Sequence, residues 1–293
     1  MDQVLTSKEG ALITWLKNAI SEGKINCFDC NEFTCFEIIG DGEFGNVHKA
    51  EWKSYGKKVA LKSLKDIKCT KIIQELKILQ KISFHPNIIE FFGVTIAKDK
   101  SYNIIMEFAE DGNLRQYLKV NFSSLECCDK IRMAREIVLG LAFLHKRDVV
   151  HGDLHTENIL VHKKEMKIAD FGFSNYLVDS EFFHGIYGKP AFVDPQLLHR
   201  NLNTPNKESD IYSFGVILWE IANCVEPFKN MSRNRIIFHK LEGKRETPIR
   251  NMPSSYNQLY ELCCHNDPIS RPKAKIVCKD LKKLLFDNEP QLP

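Results

Sequence analysis

The stretch HGDLHTEN, at residues 151–158, decides how this chain of 293 residues is interpreted. It places Asp153 and Asn158 five positions apart, and the tripeptide DFG follows at residues 170–172. Isolated acidic and amide side chains are common on protein surfaces, so the stretch gains meaning only from its context. That context is a set of motifs that precede it along the chain.

The composition is that of an ordinary globular protein. Hydrophobic residues make up 43% of the chain, charged residues make up 27%, and the net charge is +3. These values exclude disordered and fibrous classes, and they indicate neither nucleic acid nor a membrane surface as a partner. No signal peptide is apparent, and no run approaches the roughly 18 apolar residues that a membrane helix needs. We therefore expect a cytoplasmic protein, with a nuclear location left open.

The ten cysteines do not form the framework of a secreted protein. Cys27 and Cys30 make one CxxC pair, but a zinc site would need a second pair at suitable spacing, and Cys35 lies in an apolar strand-like pattern. Reduced, mostly buried thiols are therefore favoured over a zinc site.

The first periodic segment, residues 6–24, has apolar residues at helical spacing. Thr6 and Glu9 have the spacing of a capping box, and Gly23 follows the last turn as a stop signal. The pattern predicts an amphipathic helix that packs against the following domain. The sharper alternative is a helix that docks a partner.

Strand-like patterns run from Phe33 to about Met106 and enclose one helical pattern at residues 69–82. From Asn113 onward helical patterns dominate. A nearly continuous apolar run begins at Ser209, the predicted N-cap, and indicates a buried central helix. A small strand-rich half followed by a larger helical half predicts an α+β fold with two lobes.

The motif GDGEFGNV carries Gly40, Gly42 and Gly45 between two strand-like runs. Glycines let the backbone approach a phosphate chain, and a second strand after them argues against a dinucleotide fold, in which a helix would follow. Lys62 ends the motif VALK, and Glu75 lies in the next helix. A lysine that grips phosphates needs such a carboxylate to hold it.

In this order, the glycine loop, Lys62, Glu75, the 151–158 stretch and DFG resemble the motifs of the protein kinase family, closest to its tyrosine-kinase-like group. The resemblance implies a two-lobed protein kinase fold at residues 33–286. Its N-lobe, about 33–108, would be a small antiparallel β-sheet with one main helix, and its C-lobe, about 110–286, would be larger and mainly helical. Residues 1–32 would be an N-terminal helix and linker, and residues 287–293 a short tail.

The resemblance also implies an ATP- and Mg²⁺-dependent kinase that phosphorylates a protein substrate, on serine or threonine rather than tyrosine, in intracellular signalling. Lys62 would contact the phosphates and pair with Glu75, and Asp153 would orient the substrate hydroxyl. Asn158 and Asp170 would hold magnesium, a hard cation that takes oxygen ligands. The residues implied to line the ATP site are Ile39, Gly40, Gly42, Gly45, Val47, Ala60, Lys62, Met106, Glu107, Ala109 and Leu160.

The first departure from the family pattern is Gly152, which stands where many kinases have an arginine that binds a phosphate on the activation loop. We therefore expect activity to depend weakly on phosphorylation of that loop. The candidate phosphorylation sites are Ser174, Tyr176, Ser180 and Tyr187.

The second departure concerns a missing cation. His155 replaces the lysine that serine/threonine kinases use to steady the γ-phosphate, and Glu157 stands where tyrosine kinases use an arginine. Lys189 replaces a threonine that lies near the catalytic aspartate in the family. Our hypothesis is that Lys189, helped by His155, supplies the cation. The alternative is that Lys189 faces solvent or selects acidic substrates.

The third departure is DPQ in place of the family's APE motif, with Gln196 in the position of the glutamate. We expect Gln196 to make a neutral hydrogen bond with Arg271, at a loss on the order of 1 kcal/mol. Cys264 replaces a common tryptophan, which predicts looser packing. Because the predicted metal ligands, phosphate lysine and catalytic aspartate are all present, an active kinase is favoured over an ATP-binding pseudokinase that acts as a scaffold.

Overall fold

Strand patterns dominate the first third of the chain and helical patterns dominate the rest, and the structure, a computed structural model, follows that division. It describes residues 7–42, 45–64, 69–82, 84–176, 188–198, 204–247, 249 and 251–288. The described chain divides into two compact units. The first contains the described residues up to Ala109 with Phe171–Phe173, and the second contains Glu110–Asp170 and the described residues from Ser174 onward. The predicted α+β class is confirmed.

The first unit is built on a six-stranded sheet of order β1-β5-β6-β4-β3-β2. The strands are β1 (Cys27–Phe28), β2 (Phe33–Gly42), β3 (Gly45–Trp52), β4 (Lys57–Ser63), β5 (Phe91–Ile96) and β6 (Tyr102–Glu107). Neighbouring strands are antiparallel, except that β1 runs parallel to β5. The predicted linker thus supplies an edge strand, which the sequence did not reveal because two residues carry no detectable periodicity.

Trp52 is the centre of the buried cluster on this sheet. Its ring lies 4.7 Å from that of Phe28 and 5.4 Å from that of Phe33. The indole Nε1 donates a hydrogen bond of 2.8 Å to Glu32, so the ring is buried without leaving its N–H group unpaired. Because Phe28 belongs to β1, this packing ties the edge strand to the rest of the sheet.

Two helices, α1 (Ser7–Ser21) and α2 (Cys69–Ile82), accompany the sheet and pack against each other. Leu16 and Ala19 of α1 are buried, and Gly23 follows the helix with a φ of 68°, as the stop signal predicted. Thr6 of the predicted capping box lies outside the described residues. Of the two alternatives for this helix, packing within its own domain is the one observed.

The second unit is mainly helical. Its helices are α3 (Leu114–Asn121), α4 (Cys127–Lys146), α5 (Pro195–Leu198), α6 (Lys207–Asn223), α7 (Arg233–Leu241), α8 (Ser254–Cys263) and α9 (Ala274–Asn288). Its strands are β7 (Val149–Val150), β8 (Ile159–His162), β9 (Glu165–Ile168) and β10 (Asn175–Tyr176); β7 pairs with β10, and β8 pairs with β9. Within the described ranges, no helix combines the length and apolar character that crossing a membrane requires.

Helix α6 is buried from Ser209 to Ala222, as its apolar run predicted, but it begins earlier than expected. The N-cap is Asn206, whose side chain accepts a hydrogen bond of 2.8 Å from the Ser209 amide. In return, the Ser209 hydroxyl accepts one of 2.9 Å from the Asn206 amide. The prediction of Ser209 as N-cap is therefore wrong. Ser209 is the third residue of the helix and forms a capping box with Asn206. The sequence did not reveal this start because the first turn is polar and the apolar run begins only after it.

Helix α6 passes very close to Cys264, the residue that was expected to leave looser packing. A Cβ added at Gly215 would lie 2.5 Å from Cys264 Sγ and 2.9 Å from Cys263 Cβ. The small side chains thus allow a close approach of α6 and α8, and the expected loss of packing is not observed. Burial raises the pKa of the Cys264 thiol to about 12, so the group is an unreactive core thiol.

We predict that Leu16→Ala lowers the free energy of unfolding by about 2–5 kcal/mol, because it opens a cavity beneath the buried face of α1. The matched control is Lys17→Ala, at an exposed position of the same helix, which should change it by less than about 0.5 kcal/mol. Urea titration of both variants measures the difference. Equal, small effects would contradict the packing of α1 on α2.

Candidate active site

A buried ion pair links the sheet of the first unit to α2. Lys62 Nζ on β4 lies 2.7 Å from Glu75 Oε1, and the two side chains are only 6% and 3% exposed. Burying one of these charges alone would cost several kcal/mol, so each requires the other. The structure therefore brings together the two residues that the sequence suggested would pair.

The predicted ATP-site residues of the first unit lie around this pair. The strand register places Val47 beside both Gly40 and Lys62, and Ala60 beside Met106. Directly paired residues, and residues two apart on one strand, point to the same face of a sheet. Val47, Ala60, Lys62 and Met106 thus form one continuous face, bordered by the glycine-bearing hairpin of β2 and β3.

The remaining predicted ATP-site residues are more dispersed. Ile39 is 44% exposed and Ala109 is 9% exposed. The Glu107 amide donates a hydrogen bond of 2.9 Å to the Glu90 carbonyl, so a ligand would have to use the Glu107 carbonyl instead. Leu160 lies in β8 of the second unit, where it is partly buried.

In the second unit, the 151–158 stretch is held by Asp210 at the start of α6. One carboxylate oxygen of Asp210 accepts hydrogen bonds of 2.9 Å from the His151 amide and from His145 Nε2, and the other accepts one of 3.0 Å from the Gly152 amide. Asp210 is only 1% exposed, and these donors offset the cost of burying its charge. The loop shape therefore depends on a buried carboxylate.

Asp153 sits in a tight, mostly buried environment. Its Oδ2 lies 3.6 Å from His155 Nε2, and its carbonyl accepts a hydrogen bond of 2.9 Å from Asn158 Nδ2. Gly188 has a φ of 81°, and a Cβ at this position would collide with Asp153 Oδ1. Only glycine therefore allows the chain to pass this close to the carboxylate.

Asn158 and Asp170 lie at the same end of the β8–β9 hairpin, because the Ala169 amide donates a hydrogen bond of 2.8 Å to the Asn158 carbonyl. Asp170 has a φ of 61°, a strained value for a non-glycine residue and one that favours a functional role. In the part of the chain that the structure describes, no group of three or more His, Cys, Asp and Glu side chains could hold a metal ion. Magnesium still fits this pair, because it is commonly bound through one or two side-chain oxygens and substrate phosphates.

Gly152 has a φ of 79°, in the left-handed region that costs other residues roughly 1–2 kcal/mol. An arginine here would be strained, which gives a physical reason for this departure. Ser174, a candidate phosphorylation site, is only 1% exposed, and its hydroxyl donates a hydrogen bond of 3.0 Å to the His151 carbonyl. It is therefore inaccessible in this fold. The Tyr176 side chain, and Ser180 and Tyr187 entirely, lie outside the described residues.

Lys189 forms an ion pair with Glu157, and both side chains are 36% exposed. Arg115 joins the cluster, with NH1 at 2.9 Å from Glu157 and Nε at 2.8 Å from Glu220. Burial acts to raise the pKa of Glu157, but Lys189 and Arg115 hold it below its ordinary value. Sequence reasoning missed Arg115. Among the described residues, His155 is the basic side chain that contacts Asp153, whereas Lys189 contacts Glu157.

The expected hydrogen bond between Gln196 and Arg271 is wrong, because Asp194 takes that place with a full charge. Arg271 NH2 lies 3.0 Å from Asp194 Oδ1 and NH1 contacts Oδ2, so the pair is bidentate. Gln196 instead donates a hydrogen bond of 3.2 Å to the Asn266 carbonyl. The acid two positions before Gln196 in DPQ is the sequence signal that could have revealed this exchange.

We predict that Asp194→Ala lowers the free energy of unfolding by about 3–5 kcal/mol, because it leaves the Arg271 guanidinium buried without its counter-charge. Gln196→Ala should cost only about 1 kcal/mol, the value of a neutral hydrogen bond. Denaturant titration of the two variants side by side provides the measurement. If Gln196→Ala were the more damaging change, the assignment of the charged pair would fail.

Comparison with known proteins is consistent with these motifs. A sequence profile of the protein tyrosine and serine/threonine kinases matches residues 33–281. The serine/threonine-protein kinase CTR1 of Arabidopsis thaliana is 32% identical over 262 residues, which cover 85% of this chain and 31% of that protein. The tyrosine-protein kinase TXK of Mus musculus is 30% identical over 250 residues, covering 83% of this chain and 46% of that protein. Ephrin type-B receptor 1 of Gallus gallus is 32% identical over 264 residues, covering 85% and 26%. The chain thus spans less than half the length of each of these relatives.

Proposed function

Because this chain belongs to the protein tyrosine and serine/threonine kinase family, we propose that it is an active protein kinase, with residues 33–286 as the catalytic domain. It transfers the γ-phosphoryl group of ATP to a hydroxyl of a protein substrate. The observation that supports activity most strongly is the buried, anchored environment of Asp153, which contacts both His155 and Asn158.

Asp153 orients the acceptor hydroxyl and takes up its proton as the phosphoryl group is transferred. Its carboxylate is suited to this role because the surrounding loop is fixed by Asp210 and because Gly188 lies directly against it. Phosphoryl transfer depends mainly on positioning and on electrostatic stabilisation, so a rigid loop contributes directly to the rate.

Lys62 contacts the α- and β-phosphates of ATP, held in position by Glu75 at 2.7 Å. The face formed by Val47, Ala60 and Met106 supplies the apolar surface for the adenine ring. A pair that is almost fully buried keeps the ammonium in one place, so little conformational entropy is lost when the phosphates bind.

Asn158 and Asp170 would hold magnesium, which would supply positive charge to neutralise the phosphate oxygens. The Asn158 amide nitrogen is engaged with Asp153, so its side-chain oxygen is the atom that would face the cation. This oxygen and the Asp170 carboxylate form the hard donor set that magnesium prefers.

Serine and threonine are the proposed acceptors. The support is Glu157, which stands where the family's tyrosine kinases have an arginine and which already pairs with Lys189 and Arg115. His155 lies 3.6 Å from Asp153, so it is placed to contact the γ-phosphate as the phosphoryl group is transferred. Lys189 can also contact the γ-phosphate only if it leaves Glu157 when substrate binds.

The test is turnover of Mg·ATP with peptides that carry serine, threonine or tyrosine acceptors. Wild type should form phosphopeptide, and Asp153→Asn and Lys62→Met should each reduce kcat by about a hundredfold or more, because each removes a group that acts in the transition state. Lys58→Met, at an exposed position of the same strand, is the matched control and should retain activity. ATP binding without turnover by wild type would overturn the proposal and identify a pseudokinase scaffold.

A further inference from the structure

Lys240, on α7, is a buried lysine that the reaction does not use. It is only 1% exposed, and its Nζ donates hydrogen bonds to the carbonyls of Pro190 at 2.8 Å and Ala191 at 2.7 Å, and also to that of Val193. An ammonium group has three N–H donors, so these three carbonyls satisfy it completely. One side chain thereby fixes most of residues 190–193.

The other carbonyls of this segment are also engaged. Arg233 NH1 donates a hydrogen bond of 3.0 Å to the Gly188 carbonyl, and the Phe192 amide donates one of 2.9 Å to that of Lys189. The Ser213 hydroxyl donates one of 2.9 Å to the Phe192 carbonyl. Each of the six consecutive carbonyls at residues 188–193 therefore has a donor. The segment is held from both α6 and α7.

Burying the Lys240 ammonium to hold a chain segment costs free energy, because the charge loses its hydration. Its Nζ lies 4.6 Å from the centroid of the Tyr212 ring, which Arg271 and Arg245 also approach, at 5.1 and 5.4 Å. Burial lowers the pKa of Lys240 well below its ordinary value. The three carbonyls act in the opposite direction and favour the charged amine. A neutral amine has only two N–H groups and would turn its lone pair toward the third carbonyl oxygen. An apolar side chain of similar volume would avoid these costs, so stability alone does not explain a lysine here.

The segment matters because of its location. Gly188, its first residue, lies against the Asp153 carboxylate, and Asp194, which follows it, is anchored by Arg271. We propose that Lys240 is a positioning residue for the phosphoryl-acceptor side of the active site: its ammonium gives residues 190–193 the shape that presents a substrate to Asp153. This inference rests on the proposed kinase function and deepens it. Lys62 and Glu75, on the nucleotide side, pair with each other within the first unit, so we expect ATP binding to be independent of Lys240.

Steady-state kinetics of Lys240→Met test this role, because methionine keeps much of the side-chain volume and removes all three donors. We expect the KM for an acceptor peptide to rise by about tenfold or more, while the KM for ATP stays within about twofold. Lys240→Gln keeps one amide donor group toward the carbonyls, so its peptide KM should lie between those of wild type and Lys240→Met. Lys244→Met, at an exposed position just after α7, is the matched control and should match wild type.

Hydrogen exchange supplies a readout that requires no catalysis. The Phe192 and Val193 amides donate to the Lys189 carbonyl at 2.9 and 3.3 Å, and their protection should fall by about tenfold or more in Lys240→Met but not in Lys244→Met. Unchanged exchange and an unchanged peptide KM would overturn the inference, as would an equal rise in both KM values. If wild type had no turnover, the kinase proposal would fail, whereas exchange would still decide whether Lys240 holds the segment.

Discussion

The buried carboxylate of Asp210 is the contact on which the candidate active site depends. It accepts hydrogen bonds from the backbone amides of His151 and Gly152 and from the His145 ring, so it connects the start of α6 to the loop that carries Asp153. Two of these donors are backbone groups. These contacts therefore need no side chain at position 152, and glycine, with a φ of 79°, fits the loop with less strain than arginine would.

Buried polar contacts also stabilise the positions at which the chain departs from its family. The charge absent at Gln196 is supplied by Asp194, which holds Arg271 with two hydrogen bonds. The backbone beside Asp153 is secured by Lys240 through three carbonyls. These buried groups cost free energy to desolvate, and they hold one arrangement of the loop instead of allowing several. We therefore expect catalysis to depend only weakly on a phosphate that orders this site.

The sequence predicted those features that depend on residue type and order along the chain. The Lys62–Glu75 contact and the buried run of α6 are of this kind, because a motif or a hydrophobic pattern marks each one. Lys240 could not be found in this way, since the carbonyls that it contacts lie about 50 residues away and only the folded chain brings them together. Asp194 was overlooked although the acid in DPQ marked it. The edge strand at residues 27–28 was missed because a strand of two residues has no pattern to detect.

The central claim is that internal contacts, and not loop phosphorylation, order the active site. The most direct test compares kcat/KM of the protein after phosphatase treatment with that of the phosphorylated protein, with site occupancy determined by mass spectrometry. Fixed contacts predict values within about tenfold of each other. A loss of more than about a hundredfold on dephosphorylation, roughly 2.7 kcal/mol, would contradict the account.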